Sequence, residues 1–339
     1  MTPRERMDLV LACQRADRVP YAPAIYEHKA FLLGKSPSEV GRNEDLIVAA
    51  IRREYELYRP DLLTVGLDVY NVEAEALGCT IKYYDDSTDV PGVARHLCDS
   101  LEEVRAVRKV DPEKDGRMPI FLRAAQRVHA ELGGEIYVRG AVSGPFSLAS
   151  ELIGFENLLI ATSEDPDLVS AALGQAVQTI GDYAAAFLRR GIGIIIFDSR
   201  AMPPLTSPDI FEGQILPHYQ RLTQRLKAAG AQHLPVIIGG DTTSIAELLT
   251  RTGATQFLCD ADADFETWKQ ACAKAGFPFR GNIDARTVHR GTVEESVGLA
   301  QAILEKGKSV PGFILGTGVC AYDTKSETIN AIRRLVSKD

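Results

Sequence analysis

Short apolar, β-branched runs alternate along the chain with longer segments of helical periodicity, almost from end to end. Eight runs stand out: Val19–Tyr26, Leu62–Val69, Ile136–Ser143, Ile192–Asp198, Pro235–Gly240, Gln256–Cys259, Pro278–Asn282 and Gly312–Gly316. Several, such as Ile192-Gly193-Ile194-Ile195-Ile196-Phe197, are nearly all apolar, which suits parallel strands buried on both faces. The intervening segments carry helix-start signals. Ser207-Pro208-Asp209 reads as an N-cap, a proline in the first turn and an early acid, and Thr292 with Glu295 forms a capping box. A strand followed by a helix, repeated eight times without a Gly/Ser linker, predicts an α/β fold: one (β/α)₈ TIM-barrel domain over residues 1–339. The start, MTPRERMDLVLACQR, predicts an N-terminal helical segment. Thr80 to Pro91, with Tyr83-Tyr84-Asp85-Asp86, predicts a hairpin-like insertion after the second strand, flanking the barrel mouth. A doubly wound sheet competes, but the count of eight and the lack of G-x-G-x-x-G after the first strand favour the barrel.

Composition narrows the setting. Of 339 residues 45% are hydrophobic and 25% charged, and 38 Lys+Arg against 46 Asp+Glu give a net charge of −8, the profile of a globular protein. No apolar run approaches the roughly 18–20 residues of a membrane span, and the N-terminus lacks a signal peptide's apolar core. A cytoplasmic protein is expected. The acidic balance and the lack of a basic stripe argue against nucleic acid as a partner. The six cysteines are widely scattered, so they predict reduced thiols rather than a disulfide framework, and no CxxC or HExxH metal motif occurs.

In a barrel of this kind chemistry sits where strands run into their following loops. That rule selects Tyr26, Glu27 and His28; Asp68, Tyr70 and Asn71; Ser143; Asp198; Asp241; Cys259 and Asp260; Asn282 and Asp284; and Thr317 with Cys320. Polar groups gathered at a barrel mouth are costly to desolvate without a ligand, metal or reaction to serve. Some of them instead cap helices or loops.

Gly144-Pro145-Phe146-Ser147-Leu148-Ala149 with Glu151-Leu152-Ile153-Gly154, Phe197-Asp198-Ser199, Pro208 to Phe211 leading to Leu216-Pro217-His218-Tyr219, Glu73-Ala74-Glu75-Ala76-Leu77-Gly78 and Gly281-Asn282-Ile283-Asp284 together resemble the uroporphyrinogen decarboxylase superfamily, in order and over nearly the whole chain. The resemblance implies a (β/α)₈ barrel. Asp68 matches the catalytic aspartate of the decarboxylases, but the arginine-rich segment that binds their many-carboxylate substrate is replaced by Ala24-Ile25-Tyr26-Glu27-His28-Lys29. Arg18-Val19-Pro20 and the run Val65 to Glu73 are closer to the corrinoid-dependent methyltransferase branch. The zinc ligands of that branch's coenzyme M enzymes fall here on Ile238, Gly240 and Thr317, so that ligand set is missing. Gly239 to Thr243, Phe257 to Asp260 and Gly316 to Cys320 look similar to the methyl-donor components of anaerobic O-demethylases.

The resemblance therefore implies methyl transfer from a small donor, a methoxylated aromatic by best match, to the cob(I)amide of a separate corrinoid protein. No Asp-x-His-x-x-Gly segment offers this chain its own cobalt ligand. Such a reaction needs a Lewis-acid metal or a proton donor at the leaving oxygen. Asp241, Cys259 and Cys320 are the candidate zinc ligands, a mixed carboxylate and thiolate set. His28, Glu27 and Tyr70 are candidate proton donors, with Asp68 and Asp198 as further catalytic or orienting acids. Tyr26, Tyr70, Asn71, Ser143, Asn282 and Thr317 are expected at the substrate. The competing expectations are a uroporphyrinogen decarboxylase-like lyase, a lyase or aldolase using Gly316-Thr317-Gly318 as a phosphate cradle, and a non-catalytic barrel that binds a tetrapyrrole or corrinoid.

Overall fold

The computed structural model describes residues 1–68 and 70–337; Val69, which closes the second expected strand, lies outside them. Among the described residues ten strands form: β1 (Tyr21–Ile25), β2 (Leu62–Val65), β3 (Thr80–Lys82), β4 (Gly92–Arg95), β5 (Tyr137–Ser143), β6 (Gly193–Phe197), β7 (Val236–Ile237), β8 (Phe257–Cys259), β9 (Phe279–Ile283) and β10 (Phe313–Cys320). Eight of these run parallel, in the orders β1-β10-β9-β8 and β2-β5-β6-β7. At one seam Pro235 bridges Gln256 in parallel and Val236 N donates to Gln256 O. At the other, Asp61 N donates to Tyr21 O at 2.8 Å while the Asp61 carboxylate accepts from Tyr21 N at 2.7 Å. The two sheets thereby curl into a (β/α)₈ barrel. The expected insertion is the antiparallel pair β3-β4.

Helix starts follow the local chemistry. Ser207 accepts from Ile210 N, and Thr292 and Glu295 complete their box. The helix Pro3–Leu11 is capped by a second box, Thr2 with Glu5. Its Met7, Val10 and Leu11 pack on Ala22, Leu62 and Ile314, closing the barrel at the N-terminal ends of the strands. Among the described residues no helix is long and apolar enough to cross a membrane.

β10 runs four residues past its expected end at Gly316. Pro23 in β1 has no N–H to offer, and the register there jumps from Ala22 opposite Gly316 to Ala24 opposite Val319. The Thr317 hydroxyl accepts from Ala24 N at 3.0 Å, supplying a partner where the ladder slips. Thr317 and Cys320 are thus strand residues and both are fully buried.

Apolar side chains separate into two layers because successive residues of a strand point to opposite faces. Ala24, Tyr26, Ala141, Ile195, Phe197, Ile237 and Leu258 fill the barrel interior. Their neighbours Ile25, Ile196, Val236 and Cys259 face the surrounding helices.

Candidate functional site

A cavity of about 260 Å³ opens at the C-terminal ends of the parallel strands, where this architecture places its chemistry. Its walls are apolar, from Phe197, Ile237, Leu258, Leu67 and the ring of Tyr26, which meets Phe197 edge-on at 5.2 Å. Polar groups enter at defined points: Glu27 after β1, Asp68, Tyr70 and Asn71 after β2, Asp260 after β8, and Arg280 and Asn282 from β9. Val90, from the β3–β4 connection, and Val319 stand at the mouth, 40% and 48% exposed.

The acids at this cavity differ in state. Asp68 is clamped: Arg117 donates to Oδ2 at 2.8 Å, and the Asn71 amide and backbone N–H donate to Oδ1. Arg117 is shared with Glu75 at 2.5 Å. Asp260 accepts from Gly240 N at 2.9 Å and from the Asn282 amide at 3.1 Å. Glu27 has no salt bridge among the described residues, and burial raises its pKa above the ordinary carboxylate value. Tyr26 and Tyr70 are raised by burial as well, and the Tyr70 hydroxyl accepts from Ser199 N at 3.4 Å.

Of the residues expected at the site, Tyr26, Glu27, Asp68, Tyr70, Asn71, Asp260 and Asn282 are brought together here. The others lie elsewhere, mostly because the next position along a strand faces the opposite way. His28 is fully buried outside the cavity, with Nδ1 2.7 Å from Tyr322 O and Nε2 2.6 Å from the Tyr58 hydroxyl. Both ring nitrogens are therefore committed away from a substrate. Asp198 follows inward-facing Phe197 and points outward. It accepts from Ser147 N at 2.6 Å and Phe146 N at 3.2 Å at the start of the helix Pro145–Ile153, and from the Tyr219 hydroxyl at 2.6 Å. The fit requires glycine at 144, since a Cβ there would stand 2.2 Å from Asp198 Cβ. Ser143 N donates to Glu73 Oε1 at 2.7 Å, behind the cavity. Thr317 serves the β1–β10 seam, and Asp284 caps the helix Ala285–Arg290.

The expected zinc ligands do not converge. Among the described residues no group of three or more His, Cys, Asp or Glu is arranged to hold a metal ion. Asp241 is exposed and its Oδ1 accepts from Thr243 N and Oγ1. Cys259 follows inward-facing Leu258 and packs toward the helices, with Sγ nearest Asp260 O and Ala263 O. Cys320 follows cavity-facing Val319 and contacts Thr317 Oγ1 at 3.5 Å. Burial pushes both thiols up to about 12, so neither is a ready thiolate. The donor set does not fit zinc.

Three arginines were not anticipated. Arg117, from the residue preceding the helix Met118–Leu132, neutralises Asp68 across 49 residues of sequence. Arg139 on β5 and Arg280 on β9 are buried inside the barrel, 4% and 3% exposed. Alternation alone could have found these two, since Arg139 shares a face with inward Ala141, and Arg280 with cavity-lining Asn282.

Comparison with known proteins agrees with this geometry. The chain is 26% identical over 326 residues, 94% of its length and 93% of the relative's, to a methylcobamide:CoM methyltransferase MtbA of Methanosarcina mazei. It is 24% identical over 345 residues, 98% of this chain and 89% of the relative, to a methylated-thiol–coenzyme M methyltransferase of the same organism. A solved structure described as a methyltransferase from Methanosarcina mazei superposes with a TM-score of 0.86 at 22% identity, over 99% of both chains, and shows the same fold. The model of the family described as uroporphyrinogen decarboxylase (URO-D) matches residues 2–338, and the chain belongs to that family.

Proposed function

We propose that this protein is a corrinoid-dependent methyltransferase, moving a methyl group between a small molecule in the barrel cavity and the corrinoid of a separate carrier protein. The observation that carries this reading is the cavity, whose 260 Å³ and apolar walls suit a small molecule rather than a macrocycle. The relatives named as methylcobamide:CoM methyltransferases, matched over nearly their whole length, supply the reaction class. The corrinoid supplies the cobalt that gives or takes the methyl group; the chain's own residues do the rest. Tyr26, Phe197, Ile237 and Leu258 exclude water and hold the substrate body. Glu27 handles the proton. With its pKa raised by burial, it gives that proton to the oxygen that loses its methyl group in a methyl ether such as a methoxylated aromatic, or takes it from the sulfur of an incoming thiol. Asp68, fixed by Arg117 and Asn71, is a rigid acceptor in the wall.

The decarboxylase reading fares less well, because a tetrapyrrole bearing many carboxylates needs more than the two unpaired guanidiniums found here and more room than this cavity gives. The carrier is proposed to dock on the rim around Val90 and Val319, which offers exposed apolar side chains beside the opening. Anaerobic absorption spectroscopy of cob(I)alamin, free or on a carrier, mixed with the protein and a panel of methoxylated aromatics, methanol and methylamines tests the proposal; methylcobalamin with thiols tests the reverse direction. Conversion with one substrate class supports it. No conversion in either direction with a verified carrier refutes it.

A further inference from the structure

The end of the barrel opposite the substrate cavity carries polar groups that the fold leaves unused. Beside the first residues of β5 and β6 a second cavity, of about 290 Å³, is lined by Arg4, His129, Tyr137, Gln232 and His233. No carboxylate of the described residues lines it. In this architecture that face ordinarily serves stability, yet these side chains are not engaged in it. Arg4 donates to Gly133 O and, among the described residues, forms no salt bridge. His233 meets the Tyr137 ring edge-on at 6.1 Å, and neither its nitrogens nor the Tyr137 hydroxyl has a hydrogen-bond partner among the described residues.

The free groups border one space. A Cβ at Gly191 would stand 3.9 Å from His129 Nε2, and one at Gly193 would stand 3.8 Å from the Tyr137 hydroxyl. Glycine at both positions keeps that space open. His129 Nδ1 is buried without a partner. A buried N–H lacking an acceptor is rarer and costlier than a bare lone pair, which assigns the ring proton to Nε2, at the cavity. Burial, with Arg4 nearby, lowers the pKa of His129, so the ring is neutral with that single N–H. A cation finds little here, although three helices end at this face. Their last carbonyls are closed locally, by Gly191 N on Leu188 O, by Ile192 N on Phe187 O, by Gly230 N on Lys227 O, and by Arg4 on Gly133 O. What remains open is a set of donors.

We infer that this cavity is a binding site for a tetrahedral oxyanion of the phosphate class, a phosphate monoester of a small molecule. Arg4 supplies the charge. His129 Nε2–H, the Tyr137 hydroxyl and the Gln232 amide supply neutral donors around it, a set that suits a group with oxygens on every side better than a planar carboxylate. At neutral pH a phosphate carries close to two negative charges, which makes its hydrogen bonds to a guanidinium the strong, charge-assisted kind. The volume exceeds a phosphate group alone, and Leu188 and Ile192 offer apolar surface to the body that bears it. The site lies at the opposite end of the strands from the substrate cavity and does not depend on the proposed reaction.

The test is calorimetric titration of the wild-type protein with inorganic phosphate, glycerol 3-phosphate, acetate and glycerol at fixed ionic strength. The two phosphates are expected to bind at least about tenfold more tightly than acetate, and glycerol not at all. Tighter binding of glycerol 3-phosphate than of inorganic phosphate identifies a monoester site; the reverse order identifies free phosphate as the ligand and overturns the monoester. Arg4→Gln and His129→Gln should each weaken phosphate binding about tenfold or more. In the wild-type protein the imidazole resonances of His129 and His233 should move with added phosphate while that of His218, in the helix Leu216–Ala228, stays in place. Phosphates that bind no better than acetate, binding that survives both substitutions, or imidazole resonances of His129 and His233 that do not move overturns the inference, the last whether or not the variants fold. None of these measurements needs a corrinoid, so a protein that moves no methyl group leaves this site standing.

Discussion

Arg6, beneath the barrel, and Arg280, inside it, are buried to nearly the same degree, 5% and 3% exposed. Arg6 meets Asp17 at 2.7 Å and Asp61 at 2.5 Å; Asp61 in turn takes Arg18 at 2.7 Å and the Tyr21 N–H. Every charge in that network has an opposite, and the network stitches the β1–β2 seam. Arg280 has no such carboxylate partner among the described residues. Where a buried charge is fully compensated within the chain it works for the fold; where it is left uncompensated beside a cavity, it costs stability.

The largest effect should come from breaking the compensated end. Asp61→Ala leaves Arg6 and Arg18 facing each other and Tyr21 N unpaired, and unfolding in urea should show a loss of about 3–5 kcal/mol. Next in size is a titration behind the cavity. Glu73 is fully buried, and burial raises its pKa from 4.5 to about 8. Between those values the folded protein holds a proton that the unfolded chain has released. Its contribution to stability is therefore fully present below about pH 4.5 and is lost as the pH rises toward 8. Glu73→Gln keeps an acceptor for Ser143 N but cannot ionise. The variant should gain about 2–4 kcal/mol relative to wild type between pH 4.5 and 9, read from melting curves across that range; a constant difference would contradict the assignment.

Asp198→Ala removes the acceptor for two backbone N–H groups and the Tyr219 hydroxyl. It should cost about 2–3 kcal/mol in chemical denaturation, with binding in the cavity retained in the folded fraction. Smallest is Arg280→Gln, for which the ligand-free protein should stay within about 1 kcal/mol of wild type or exceed it. Cys259→Ser and Cys320→Ser sharpen the same contrast from another side: metal analysis of the purified proteins should give the same zinc content as wild type, since these thiols face the helix layer.

The architecture was legible because its signals are local. Continuous apolar runs such as Ile192 to Phe197, and caps such as Ser207 and the Thr292–Glu295 box, specify strands and helix starts within a few residues. The site was legible only by position. Selecting residues at strand ends picks out Tyr26, Glu27, Asp68, Tyr70, Asn71, Asp260 and Asn282, which line the cavity. The same rule also drew in His28, Asp198, Cys259 and Cys320, because a strand end marks the right height in the barrel but not the right face. Counting from Leu258 or Val319 shows that each cysteine lies one residue out of phase with the interior. Arg139 and Arg280 were passed over for the complementary reason: they have the right phase but lie below the strand ends.

By itself, then, the sequence determined the alternation of strands and helices, their number, the caps that start the helices, and the family to which the chain belongs. Only the tertiary structure decided which face of each strand looks inward and which charges meet. Barrel closure sets the phase of all eight strands together, and pairings such as Arg117 with Asp68 join segments far apart in sequence that no local pattern relates.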